Sequence, residues 1–145
     1  MIERDAAERG SEWPDGMKKT KQREAVLAVL ERAEKPLCAA DIRARTETDG
    51  SLVRLSTVYR ILEILIKKGV AVKLSILGGE TTVYELNRFR HRHYAVCVSC
   101  RKIVSMDNCP MERFVPKLED GDFRVMGHNL EIYGSCKDCD TAGSR

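Results

Sequence analysis

The sequence predicts an α+β protein built from two small domains. In the N-terminal half, apolar residues recur at helical spacing and are followed by two runs that alternate like strands. In the C-terminal half, short strand-like runs lie between two Cys-x-x-Cys pairs. With 145 residues, 43% of them hydrophobic, the chain can form two small cores, the second of which needs additional stabilisation by a cross-link such as a bound metal ion.

The N-terminal half begins with an arm and two helices. Residues 1–16 are polar, charged and turn-rich, which predicts an N-terminal arm. A first helix is predicted over 21–34, with Thr20 as its cap and Pro36 ending it. A short second helix is predicted over 41–46.

The third predicted helix is strongly amphipathic. Ser56 is a good N-cap and Gly69 ends the pattern. The residues between them place one continuous apolar stripe at positions i, i+3, i+4, i+7 and i+8. That stripe consists of Val58, Ile61, Leu62, Leu65 and Ile66.

A hairpin follows the third helix. Residues 70–77 and 81–86 alternate and are rich in β-branched side chains, and Gly78-Gly79 joins them. Three helices and a hairpin are the order of a winged helix-turn-helix domain, here residues 17–86.

The first turn of the third helix is where such a domain reads DNA, because the recognition helix enters the major groove with its N-terminus first. Arg60 can bind guanine through two hydrogen bonds, and Tyr59 can pack on a thymine methyl. Both could equally be ordinary surface residues of an amphipathic helix. The net charge of +3 does not indicate a DNA-binding protein, although residues 17–23 carry four positive charges and no negative one.

The second predicted domain covers residues 92–145, after a polar and basic linker at 87–91. Its pattern changes from helical to mixed. Strands are predicted over 92–98, 102–106 and 123–133, and a helix over 110–119.

The two Cys-x-x-Cys pairs predict a structural zinc site. Each pair offers two sulfurs from one tight turn, and four thiolates complete a tetrahedron that leaves no position open for a substrate. Two disulfides are an alternative, but no signal peptide indicates an oxidising compartment. A redox dithiol is another, but the first pair lies between strand-like runs. The four residues are Cys97, Cys100, Cys136 and Cys139.

Hydropathy and charge predict a soluble, cytoplasmic protein without a membrane partner. No apolar run approaches the ~18 residues that are needed to span a bilayer. The first residues, Met-Ile-Glu-Arg-Asp, are too charged for export.

Three segments resemble the ferric uptake regulator (Fur) superfamily: residues 55–62 (Leu-Ser-Thr-Val-Tyr-Arg-Ile-Leu), 91–103, with its His-Arg-His-Tyr run, and 127–139. The resemblance keeps its order and spacing over 17–139. The segment 107–111 and the His-Arg-His-Tyr run are most similar to the zinc-uptake (Zur) branch. It implies a homodimeric, metal-dependent DNA-binding repressor of metal-uptake genes rather than an enzyme, with no small-molecule substrate. The C-terminal α/β domain would dimerise and hold metal, and the partner would be a palindromic double-stranded operator. The implied DNA contacts are Lys18, which would reach the minor groove, and Thr57, Tyr59 and Arg60.

The resemblance also implies a second, regulatory metal. An interdomain site would use Glu85, but its other positions hold Arg92 and Tyr94, which cannot bind a divalent ion, and no histidine lies near Pro36. The site within the dimerisation domain is complete, and suits zinc, or alternatively ferrous iron or manganese. Metal bound there would shift the population of dimers towards those that can reach two DNA half-sites. Its ligands are His91, His93, Glu112 and His128.

Each of these ligands has a simpler interpretation. Glu112 could close the start of a helix, His128 could be a turn or core residue, and His91 and His93 could be exposed linker residues. Two cysteines remain outside the zinc site. Cys38 is expected to be a buried small hydrophobe, whereas Cys109 could join or replace a regulatory ligand.

Other functions remain open from the sequence. An iron-responsive or peroxide-responsive regulator of the same superfamily is one alternative. A zinc-knuckle adaptor that does not bind DNA is another. A zinc hydrolase is disfavoured because no His-Glu-x-x-His motif occurs.

Overall fold

The computed structural model describes residues 13–88, 92–106, 108–114 and 116–143, with the backbone alone described at Glu112 and at 141–143. The chain divides into two compact units, residues 1–90 and 91–145. Within the described ranges, no helix is both long enough and apolar enough to cross a membrane.

The first unit contains three helices and a hairpin. Helix α1 spans Lys21–Arg32, and the side-chain oxygen of Thr20 accepts a hydrogen bond of 3.2 Å from the backbone N–H of Arg23, which confirms the predicted cap. Helix α2, Ala39–Thr48, begins before the predicted range and extends beyond it.

Helix α3, Leu55–Lys67, carries the apolar stripe that the sequence predicts. Val58, Ile61, Leu62 and Leu65 are all at most 3% exposed, and they pack in one core with residues of α1 and α2. The predicted cap is wrong. The backbone of Val58 already donates to the carbonyl of Arg54, so that Ser56 lies inside the first turn, and no side chain caps the helix.

Strands β1, Ala71–Ile76, and β2, Thr81–Leu86, form the predicted antiparallel hairpin, with Ala71 opposite Leu86. Gly78 and Gly79 have φ angles of 66° and 94°, which glycine adopts without steric cost. The hairpin is also tied to the chain before α2, because Tyr84 and Leu37 exchange backbone hydrogen bonds of 2.8 and 2.9 Å.

The second unit is a three-stranded sheet and a short helix. Strand β3, Tyr94–Cys97, lies in the middle, with β4, Ile103–Ser105, antiparallel on one side. Strand β5, Glu131–Gly134, is parallel on the other side, with Tyr94 opposite Glu131 and Cys97 opposite Gly134. Helix α4, Lys137–Gly143, follows directly and was not predicted.

Three predicted elements of this unit are wrong in extent. The helix over 110–119 is reduced to a single 3-10 turn, Pro110–Glu112, because Pro116 has no N–H to donate and disfavours helical geometry in the residue before it. Of the strand predicted over 123–133, only the part that begins at Glu131 forms. Phe123 and Val125 are 63% and 49% exposed, so their alternation does not bury a face. The first strand begins at Tyr94 rather than at residue 92.

Candidate metal centres and nucleic-acid interface

The four predicted zinc ligands converge at one end of the β3–β5 pair. Cys97 is the last residue of β3 and Cys100 lies in the turn that follows, while Cys136 precedes α4 and Cys139 lies in its first turn. Their sulfur atoms all lie within 4.8 Å of one another, and those of Cys100 and Cys136 are 3.6 Å apart. The edge of a tetrahedron with Zn–S bonds of ~2.3 Å is about 3.8 Å. The donor set and spacing fit a four-thiolate zinc site.

Electrostatics in this cluster favour a bound cation. The backbone N–H groups of Cys100 and Cys136 donate to the sulfur of Cys97, the latter across 3.4 Å, and lower the pKa of that thiol to about 6. Contact with the sulfurs of Cys136, Cys100 and Cys97 raises the pKa of Cys139 to about 12. The low pKa of Cys97 means that the cluster loses a first proton easily, and the high pKa of Cys139 means that it retains the last one. A divalent cation would compensate the negative charge of the thiolates. All six cysteines are in the described part of the chain, and no disulfide joins any of them.

A second cluster of potential metal ligands is formed by His93, Cys109 and His128. The Nε2 atoms of the two histidines are 3.1 Å apart, and each is 3.2 Å from the sulfur of Cys109. The imidazole rings stack with centroids 5.0 Å apart. His93 and Cys109 are only 4% and 7% exposed, and His128 is half-buried.

Secondary structure positions each member of this second cluster. His93 directly precedes β3, and its carbonyl accepts a hydrogen bond of 2.9 Å from the N–H of Met106, just beyond β4. Cys109 precedes the Pro110–Glu112 turn. His128 lies three residues before β5. Because β3 and β5 run parallel, the two histidines approach the same end of the strand pair.

The structure brings together two of the four predicted regulatory ligands, His93 and His128. His91 lies outside the described residues, and so does the side chain of Glu112, so both remain predictions. Cys109, which the sequence suggested only as an additional or substitute ligand, occupies the third position. The role of Cys109 was hard to predict from the sequence. Its position three residues before the predicted ligand Glu112 does not show on which side of the turn its sulfur lies.

The structure describes both residues that the sequence analysis set aside as metal ligands because of their chemistry. The side chain of Arg92 is exposed, and Tyr94 is 7% exposed and lies in β3. Neither offers a ligand for a divalent cation.

Cys38 is half-buried rather than fully buried, and it precedes α2 without capping it. Burial raises the pKa of its thiol. It therefore behaves as a small apolar side chain rather than as a reactive one.

The predicted DNA contacts in the first unit are accessible. Tyr59 is 48% exposed, Arg60 is exposed and Thr57 is half-buried, all at the N-terminal end of α3. Lys18 is exposed two residues before the α1 cap, and its carbonyl accepts a hydrogen bond of 2.8 Å from the guanidinium group of Arg23. Arg54, directly before α3, is a further exposed cation that the sequence analysis did not select as a DNA contact.

Comparison with known proteins agrees with this combination of elements. A family model, the ferric uptake regulator family, matches residues 14–133. The ferric uptake regulation protein of Neisseria gonorrhoeae is 31% identical over 132 residues, which cover 90% of this chain and 91% of that protein.

Solved structures of similar proteins have the same fold. The ferric uptake regulator of Helicobacter pylori, described as having three functional metal-binding sites, matches with a TM-score of 0.70 and 25% identity, over 86% of this chain and 83% of that one. The regulator of Francisella tularensis with iron matches with a TM-score of 0.70 and 28% identity, over 89% and 98%.

The fold and the metal-ligand clusters therefore define a metal-responsive transcription regulator. The chain belongs to the ferric uptake regulator family, whose members regulate transcription rather than catalyse reactions, bind DNA operators and form dimers.

Proposed function

We propose that this protein is a zinc-responsive repressor of metal-uptake genes, as in the Zur branch of its family. It would bind a palindromic operator as a homodimer through a winged helix-turn-helix formed by α1–α3 and the β1–β2 hairpin. Lys18, Thr57, Tyr59 and Arg60 would contact the DNA. Cys97, Cys100, Cys136 and Cys139 would hold a structural zinc ion.

One observation carries this proposal: the Nε2 atoms of His93 and His128 are 3.1 Å apart in a mostly buried site that is separate from the four cysteines. Two imidazoles at this distance match the edge of about 3.3 Å that tetrahedral Zn–N bonds of ~2.0–2.1 Å require. His91 and Glu112 would be further ligands. A sensor needs a site of this kind, one that can be emptied without dismantling the fold.

The bound metal would join the chain before β3 to the chain before β5 and would stabilise one arrangement of the unit. Metal and DNA would then strengthen each other's binding by the same factor, because linkage is reciprocal. A shift from mostly inactive to mostly active dimers needs a few kcal/mol of differential binding, which one buried metal site can supply.

The experiment is a mobility-shift assay with operator DNA selected in vitro, run with zinc and after mild chelation. We expect zinc to be required, and His128→Ala to lose the zinc-dependent shift while dimerising normally. The adjacent exposed Asn129 provides a matched control, and Asn129→Ala should behave as the wild type. Operator binding that does not depend on zinc and that is unchanged in His128→Ala would contradict the proposal.

Iron is the second candidate effector, because the relatives with about 31% identity are named ferric uptake regulation proteins. The same assay with ferrous iron in place of zinc, under anaerobic conditions, separates the two. If the operator DNA shifts at a lower concentration of free ferrous iron than of free zinc, iron is the effector.

A further inference from the structure

Cys109 makes the second cluster different from a site composed only of imidazole and carboxylate. Its side chain is 7% exposed, and its sulfur lies 3.2 Å from both His93 Nε2 and His128 Nε2. The three atoms form a nearly equilateral triangle, because the third side is 3.1 Å.

Hydrogen bonding among these three atoms does not account well for that triangle. A thiol is a weak donor and has one proton, and a neutral imidazole can present only a lone pair or an N–H at Nε2. A cation above the triangle would accept a lone pair from all three atoms at once. Tetrahedral zinc requires edges of about 3.3 Å between two nitrogens and about 3.6 Å between nitrogen and sulfur, close to those observed.

The local sequence holds Cys109 in this position. The residue before a proline is restricted to extended conformations, and Cys109 has φ −92° and ψ 119° before Pro110. Its side chain does not cap the 3-10 turn that follows. The proline therefore constrains the backbone at Cys109, and the sulfur lies beside the histidines rather than at the end of the turn.

We propose that Cys109 binds the regulatory metal through its thiolate, so that the sensing site has a nitrogen–nitrogen–sulfur face. This inference rests on the proposed function and deepens it, since it concerns which metals that site accepts. On binding, the sulfur–metal bond forms and the thiol proton passes to solvent. A thiolate favours zinc, cobalt and other softer divalent cations over manganese, which prefers oxygen ligands. Cys109 is then the residue that determines metal selectivity.

The test uses cobalt(II) as a spectroscopic probe on the full-length protein. Mild chelation is expected to leave one zinc per chain, and one equivalent of cobalt is then added. We expect a thiolate-to-cobalt charge-transfer band in the wild type that Cys109→Ser loses, while the visible d–d bands of histidine-bound cobalt remain. Cys38→Ser, which changes a cysteine outside both clusters, should keep the charge-transfer band.

The difference between wild type and Cys109→Ser is the readout. Any cobalt that enters the four-cysteine cluster contributes equally to both spectra. A charge-transfer band of equal intensity in the two proteins, or no such band in the wild type, would overturn the inference.

Selectivity provides a second measurement. Competition with a chromophoric chelator gives the dissociation constants of manganese and zinc. Cys109→Ser should lower the ratio of the manganese constant to the zinc constant by at least ~10-fold, because loss of even an outer-sphere partner costs that much in metal affinity. An unchanged ratio would also overturn the inference. If zinc still controls operator binding but no Cys109-dependent band appears, the proposed function stands and this inference fails. If no second metal binds at all, the proposed function fails first.

Discussion

His93 and His128 place their Nε2 atoms 3.1 Å apart although 35 positions separate them in the chain. The parallel pairing of β3 and β5 accounts for this, because each histidine lies before one of the two strands. No local sequence motif could have predicted this proximity, since the segment between the two histidines contains β3, β4 and a 3-10 turn.

Metal binding at this second cluster should stabilise the protein. Zinc at about 100 times its dissociation constant should raise the free energy of unfolding by ~2.7 kcal/mol, measured as a rise in melting temperature. His93→Ala should abolish that rise. Arg92→Ala removes the neighbouring exposed side chain and should leave it intact. A zinc-dependent rise that survives His93→Ala would show that the stabilising ion binds elsewhere.

Loss of the four-cysteine cluster should have a different consequence. Cys136→Ser should remove the zinc that survives mild chelation and unfold the second unit, because binding free energy in such sites is folding free energy. Circular dichroism and metal content per chain measure both effects.

The control for this substitution is Cys38→Ser, in the first unit, which should retain one chelation-resistant zinc per chain. If Cys136→Ser and His128→Ala gave the same phenotype, the division into structural and regulatory sites would be wrong.

DNA reading by α3 is tested at Arg60. Arg60→Ala should weaken operator binding by ~1–3 kcal/mol and relax specificity at one base position, because an arginine bound to guanine reads that base. Fluorescence anisotropy with the operator and with single-base variants measures this. Lys67→Ala, at the opposite end of the same helix, is the matched control. Equal losses for the two variants would indicate that α3 lies along the DNA instead of entering it with its N-terminus.

Lys18 is expected to reach the minor groove and to act there through its charge rather than through a specific base edge. Lys18→Ala should weaken binding similarly for all sequences and reduce the slope of log affinity against log salt by about one ion. Lys35→Ala, an exposed lysine between α1 and α2, should leave the slope unchanged. A base-specific loss in Lys18→Ala would contradict the proposed contact.

The first unit was largely predictable because its elements follow regular periods. The stripe from Val58 to Leu65 repeats every 3.6 residues and is buried, and Thr20 forms the predicted cap. The cap at Ser56 was wrong because capping depends on where the preceding chain enters, and Arg54 already supplies the first helical carbonyl.

The second unit was predictable at its cysteines and less so elsewhere. Cys-x-x-Cys spacing alone indicates that two sulfurs share one turn, and the four sulfurs do converge. The segment between β4 and β5 has no regular period, and Pro116 prevents the helix that its composition suggested. The position of Cys109 next to the histidines is a tertiary relationship that no local pattern encodes.

The parallel pair β3–β5 has a histidine before each strand and a cysteine at or shortly after the end of each. Four residues of strand separate these ends by only ~13 Å. Assembly would then have an order: zinc at the sulfurs aligns the strands, and alignment brings the imidazoles within reach of one ion. Under the proposed function, loss of the sulfur-bound zinc would therefore disable the sensing site as well.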